Sequence, residues 1–110
     1  MSPLLKIVIY APVTHADQIR AALANSGAGN IGNYDSCSFS TKGLGRFRGA
    51  KGTNPAIGQP EKLESVEEER IETVCPEDKI QAVLDAVLAV HPYEKPAIDL
   101  YPLLNYKYFS

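Results

Sequence analysis

The sequence has no tryptophan, a single methionine and only two cysteines, Cys37 and Cys75. Two cysteines in 110 residues exclude a small fold stapled by disulfides. No apolar run approaches the roughly 20 residues needed to cross a bilayer, so no membrane span is expected. Residues 1–6, MSPLLK, have neither a basic n-region nor a small-residue cleavage site, so no secretory signal is read there. The expectation is a reduced, cytoplasmic chain. A basic excess is missing too. With 11 cations against 13 acids and a net charge of −2, generic nucleic-acid binding is excluded. No GxxxxGK(S/T) Walker loop, no GxGxxG followed by a helix as a Rossmann fingerprint requires, and no HxxxH or CxxC metal spacing occurs.

Against these absences stands one unusual stretch, residues 28–59. It holds seven glycines (Gly29, Gly32, Gly43, Gly45, Gly49, Gly52 and Gly58) and four closely spaced cations, Lys42, Arg46, Arg48 and Lys51. No acid lies between Ser36 and Pro60. A glycine-rich connection this long is uncommon in a small domain unless it binds something or is disordered. Residues 61–78 reverse the balance, with eight acids against Lys62 and Arg70.

The remaining segments supply a scaffold, expected as one domain over 1–110. Residues 4–11, LLKIVIYA, form a β-branched apolar run suited to a covered strand, which Pro12 ends. Thr14 is the expected N-cap of a helix to about Asn25, with Asp17 completing a short capping box and Gly27 as its stop. Residues 34–41 predict a second strand leading into a glycine-rich loop at 43–60. Residues 63–75 predict a third, with Val66, Glu68, Arg70, Glu72 and Val74 on one face. Its charged first half is expected to project as a ribbon. Pro76 opens a second helix, in which Ile80, Val83, Leu84, Val87 and Leu88 follow the helical template until His91-Pro92. Residues 97–103 predict a fourth strand, followed by a short aromatic tail.

The order is βαββαβ, an α+β ferredoxin-like arrangement: a four-stranded antiparallel sheet with two helices on one face. Its bare face, with Tyr10, Val74 and Tyr101, predicts a homo-oligomer.

Three segments, GAGNIGNYDSCSFS (27–40), GLGRFRGAKGTNPAIGQPEKLESVEEERIET (43–73) and HPYEKPAIDLYPL (91–103), together resemble one family. It is the PII/CutA-like domain inserted in YqfO-type proteins, the Nif-three-like group labelled GTP cyclohydrolase type-two homologues. The resemblance spans about residues 4–103. Asn30 and Lys95 depart from the common form of these motifs. In that group hydrolase-like chemistry is attributed to a dinuclear metal site in a main domain whose residues are not in this sequence. The resemblance therefore implies a non-enzymatic module with a PII/CutA-like fold, trimeric in those relatives, with a regulatory or ligand-sensing role. In PII proteins the loop between the second and third strands contacts partners, and nucleotide binds between subunits. No PII nucleotide-contact motif is recognisable here, and no cofactor is named.

The candidate ligand-binding residues are Asn33, Tyr34, Arg46, Arg48, Glu72, His91, Tyr93 and Glu94. Glycine N–H groups with guanidinium forks suit a small anionic ligand, or a protein partner; the same cations also suit pairing with the acidic third strand. His91, Glu94, Cys37 and His15 form the alternative, a CutA-type divalent-metal site. Against it stands a structural reading in which His91 caps a helix and Cys37 is core. Glu72 beside Ile71 needs a cation on an adjacent strand or on a ligand. A third reading makes the loop and acidic ribbon a device that locks subunits together, as a trimer or a dimer.

Overall fold

The computed structural model describes residues 3–104. Its elements are β1 (Leu4–Pro12), α1 (Ala16–Ser26), β2 (Phe39–Arg48), β3 (Leu63–Pro76), α2 (Ile80–Val90) and β4 (Ile98–Pro102), with 3₁₀ turns at Val13–His15 and Glu77–Lys79 before the two helices. The sheet order is β2-β3-β1-β4, antiparallel throughout. This is the expected α+β arrangement. The tail expected after residue 104 lies outside the described residues.

Alternation along β1 and β3 builds the core. Ile7, Ile9 and Ala11 share a face with Ile71 and Cys75, against Ile19 and Leu23 of α1 and Val83 and Val87 of α2. Each large aliphatic removed from water here contributes roughly 1.5–3 kcal/mol. Ile80 and Leu84 of α2 are partly buried against this cluster, but Leu88, the last residue of the expected stripe, is 51% exposed. Val87 and Val90, on either side of it, keep the core contact in this last turn.

Three boundaries differ from the sequence reading. First, β2 runs through Gly43 and Gly45 to Arg48, so the connection shrinks from 43–60 to 49–62. Both glycines pair with the long acidic strand, at Glu68 and Val66, and this ladder outweighs their weak strand propensity. Residues 35–38 are instead irregular, following a turn at residues 32–33 that the isolated bridge Ile31–Tyr34 closes. Second, Thr14 does not cap α1. It sits inside the preceding 3₁₀ turn, where its hydroxyl lies 2.9 Å from His15 Nδ1. Third, Pro76 precedes the 3₁₀ turn of Glu77–Lys79 rather than opening α2 itself.

The projecting ribbon is real. β1 pairs with β3 only as far as Glu68, while β2 continues alongside β3 to Leu63. The molecule is drawn out to 51 × 26 × 22 Å as a result. The acids at the root of the ribbon are nevertheless buried: Glu68 and Glu69 are 8% and 9% exposed.

Candidate functional site

Two segments fold over one face of the ribbon. Cross-strand register places Gly43, Gly45 and Phe47 of β2 on the same face as Glu68, Val66 and Glu64 of β3. The 49–62 connection closes on itself through Glu61 N–H donating to Gly49 O at 2.6 Å. After α2 the chain crosses the end of β1, held by Tyr10 N–H donating to Ala97 O at 3.2 Å. The two segments are joined where Asn54 N–H donates to Glu94 Oε2 at 2.8 Å. Between them and the ribbon lies a cavity of about 450 Å³, within the usual size range for small-ligand sites.

Three aromatic rings, Tyr10, Phe47 and Tyr93, stand in its wall with the acids Glu68 and Glu94, and Arg46, Arg48 and Lys95 lie at its border. Tyr93 donates its hydroxyl proton to Glu68 Oε2 at 2.6 Å, and its ring meets Phe47 at 6.1 Å between centroids, tilted by 53°. Burial, followed by this hydrogen bond and the charge on Glu68, holds the Tyr93 phenol well above the ordinary tyrosine range. The Glu68 carboxylate lies directly over Gly45, where a Cβ would collide with it. That close approach is what the glycine permits. Pro55, Ala56 and Ile57 supply an apolar wall from the loop.

His91 supports the site from behind. It is 8% exposed, its Nδ1 accepts from Tyr93 N–H at 3.2 Å, and its Nε2 lies 2.8 Å from Tyr10 O. An accepting Nδ1 puts the proton on Nε2, which then donates to the carbonyl. Both ring nitrogens are thus occupied in a neutral imidazole. Desolvation depresses its pKa, outweighing the opposing pull of the Tyr10 hydrogen bond and of Glu68.

The expected site residues separate into groups. Tyr93, Glu94, Arg46 and Arg48 border the cavity. Strand alternation sends the Arg46 and Arg48 side chains to the opposite face of the ribbon, with Lys42 and Leu44. Among the described residues none of the four loop-region cations has an acid within 4 Å, so the expected pairing with the acidic strand is not formed. Glu72 lies in a neighbouring hollow with Tyr10, Gly43 and Arg70. It is paired as expected, with Lys6 of β1 at 4.0 Å and Arg70 at 3.5 Å. Asn33 and Tyr34 line neither hollow; Tyr34 is 77% exposed in the turn before β2.

The four residues of the metal alternative are not brought together. Cys37 lies beside β3, where its carbonyl accepts from Thr73, and Glu94 is engaged with Asn54. Among the described residues no group of three or more His, Cys, Asp or Glu side chains is placed to hold a metal ion. The sequence reading missed Glu68, Phe47 and Tyr10 as site residues. The signal was present: with the strand extended through the glycines, Gly43, Gly45 and Phe47 recur at every second position.

This is the α+β fold of the CutA proteins. The periplasmic divalent cation tolerance protein CutA from Archaeoglobus fulgidus matches 93% of this chain and 85% of its own at a TM-score of 0.67 and 22% identity, a likeness of fold alone. In sequence the chain is similar to the GTP cyclohydrolase 1 type 2 homolog of Halalkalibacterium halodurans, with 52% identity over 102 residues, which is 93% of this chain and 27% of that protein. A Bacillus cereus protein related to NIF3 matches by structure at a TM-score of 0.79 and 43% identity, over 94% of this chain and 26% of that one. The chain spans about a quarter of the length of the curated relatives it matches. The resemblance to this NIF3-related group is therefore one of sequence and fold, confined to a single segment of those proteins. No protein-family profile matches the chain. No helix among the described residues is long and apolar enough to cross a membrane.

Proposed function

We propose that this chain is a non-enzymatic binding module, folding as one domain, that takes a small ligand between its β2–β3 ribbon and the loops over it. The observation that carries this reading is the cavity of about 450 Å³ itself, with its aromatic wall and a covering loop pinned by Glu94. A fragment screen followed by amide shifts on labelled protein tests it. Shifts clustered at Gly45, Phe47 and Tyr93 are the expected result; fragments that bind only elsewhere overturn it. The free thiols of Cys37 and Cys75 suit a reducing, cytoplasmic setting.

The module is also proposed to be a homo-oligomer, a trimer or a dimer. Tyr101 and Phe39, 46% and 67% exposed on the open sheet face, support this. So does the other face of the ribbon, where Leu44 and Leu63 are 70% and 55% exposed beside Arg46 and Arg48. The double substitution Arg46→Glu with Arg48→Glu tests whether that ribbon face locks subunits. Dissociation by light scattering is expected, and an unchanged mass overturns the locking role. A single-copy mass for the parent chain at high concentration removes the oligomer altogether.

A further inference from the structure

We propose that the cavity takes an organic cation, a small amine with an apolar or aromatic body, seated on Glu68 between the rings of Tyr10, Phe47 and Tyr93. This rests on the preceding reading of the cavity as a binding site and names its ligand class.

Three acids of β3 are withdrawn from water, and they are satisfied differently. Glu69, on the helix side, is neutralised by Arg20 at 2.6 Å. Glu72 has Lys6 at 4.0 Å and Arg70 at 3.5 Å. Glu68 is as deeply buried as Glu69, yet among the described residues no cation lies within 4 Å of it; its hydrogen-bond donor is the neutral Tyr93 phenol. A carboxylate removed from water without a counter-charge is held at a penalty that a bound cation relieves.

The surroundings select the form of that cation. Tyr10 and Phe47 join Tyr93 in the wall, and ring faces attract ammonium groups most strongly where water is excluded. Arg70, the internal competitor, is engaged with Glu72 and lies 5.8 Å from the Tyr10 ring centroid. Arg46 and Arg48 also border the cavity, but strand alternation turns their side chains toward the other face of the ribbon, away from the Glu68 carboxylate. Glu94 and Lys95, both exposed, offset one another in charge at the covering segment. The loop residues Pro55, Ala56 and Ile57 provide a surface for an apolar body. The charge preference is thus the reverse of the anion preference that the glycine-and-cation composition suggests.

Three probes sharing one body separate the possibilities: phenethylamine, 2-phenylethanol and phenylacetate, titrated into the full labelled chain at neutral pH. Shifts at Gly45, Phe47 and Tyr93 are expected with phenethylamine at an affinity about tenfold or more above the alcohol, with phenylacetate weakest. Glu68→Gln is expected to bring the amine down to the affinity of the alcohol. Added salt is expected to weaken the amine and leave the alcohol unchanged, which tests the charge in the unsubstituted chain. If the alcohol or phenylacetate binds at the same amides as tightly as the amine, the cavity reading stands and the cation assignment is overturned. If none of the three moves those amides, both are overturned.

Discussion

The hydroxyl of Tyr93, three residues beyond the end of α2, donates to the carboxylate of Glu68 in the middle of β3 at 2.6 Å. Through this bond the segment that leaves the helical layer is tied to the ribbon on the far side of the sheet. It is a hydrogen bond to a charged acceptor, shielded by Phe47, and belongs to the stronger kind.

Tyr93→Phe removes the donor and leaves the buried carboxylate without one. A loss of roughly 1–3 kcal/mol is expected, read as a lower urea midpoint with an unchanged slope. The phenol also links this bond to pH. Its folded pKa is raised above the unfolded value of about 10. The stabilisation is therefore complete below that value and is lost as pH rises above it. The parent chain is expected to weaken relative to Tyr93→Phe only on that alkaline side. A constant difference between the two across pH 8–11 would contradict the linkage.

Gly43 and Gly45 are two residues apart on one face of β2, yet they are expected to respond oppositely to alanine. A Cβ at Gly45 meets the Glu68 carboxylate, whereas one at Gly43 meets nothing within 4 Å. Gly45→Ala displaces the acid and its bond to Tyr93, destabilising by about 1–3 kcal/mol. Gly43→Ala leaves contacts intact and restricts the unfolded chain, which is neutral or stabilising by up to ~1 kcal/mol. Thermal unfolding of the two variants side by side checks this, and equal shifts would sink it.

That contrast also shows what the sequence conveys and what it conceals. β1 and α2 are legible because one period holds along each: the apolar run over residues 4–11, and Ile80, Val83, Leu84 and Val87 at helical spacing. β2 is concealed because Gly43 and Gly45 carry no strand signal of their own. Their extended state comes from pairing with Glu68 and Val66, a partner more than 20 residues away. The site is concealed for a similar reason. Glu68 reads as one more acid in a charged run, and only the fold brings Tyr93 and Phe47 onto it. Tyr93 and Glu94 are legible as candidates through the HPYEKP motif. Asn33 and Tyr34 were not joined to them because their turn lies away from the ribbon.

His91 predicts an acid limit to stability. Desolvation lowers its folded pKa below the ordinary value of 6.5. The folded state therefore prefers the neutral ring, and the stability this gives is present above about pH 6.5 and is lost as pH falls below it. Protonation also removes Nδ1 as the acceptor for Tyr93 N–H. Comparing urea midpoints at pH 7.5 and 5.5 with those of His91→Asn isolates the effect. The parent chain is expected to lose more than the variant on acidification. An equal loss in both would place the dependence elsewhere.

Glu69 faces the helices rather than the cavity, and its burial depends on α1. Arg20 donates to it at 2.6 Å and to Ser40 Oγ at 3.0 Å, while its other terminal nitrogen holds Asp17 at 2.6 Å. One side chain thus joins the first helix to both strands of the ribbon root. Arg20→Met keeps most of the aliphatic stem but leaves a carboxylate that is 11% exposed with no counter-charge. Breaking a pair this far from water costs about 3 kcal/mol, whereas an exposed pair costs a few tenths. Asp17, whose side chain is 97% exposed, supplies the internal control, and Asp17→Asn is expected to move the midpoint very little. Adding Glu69→Leu to Arg20→Met removes the stranded charge and is expected to recover most of the loss. A double-mutant cycle between positions 20 and 69 then gives a coupling of about 1–3 kcal/mol. Additive losses would mean that Arg20 acts through its stem alone and that Glu69 is solvated in solution.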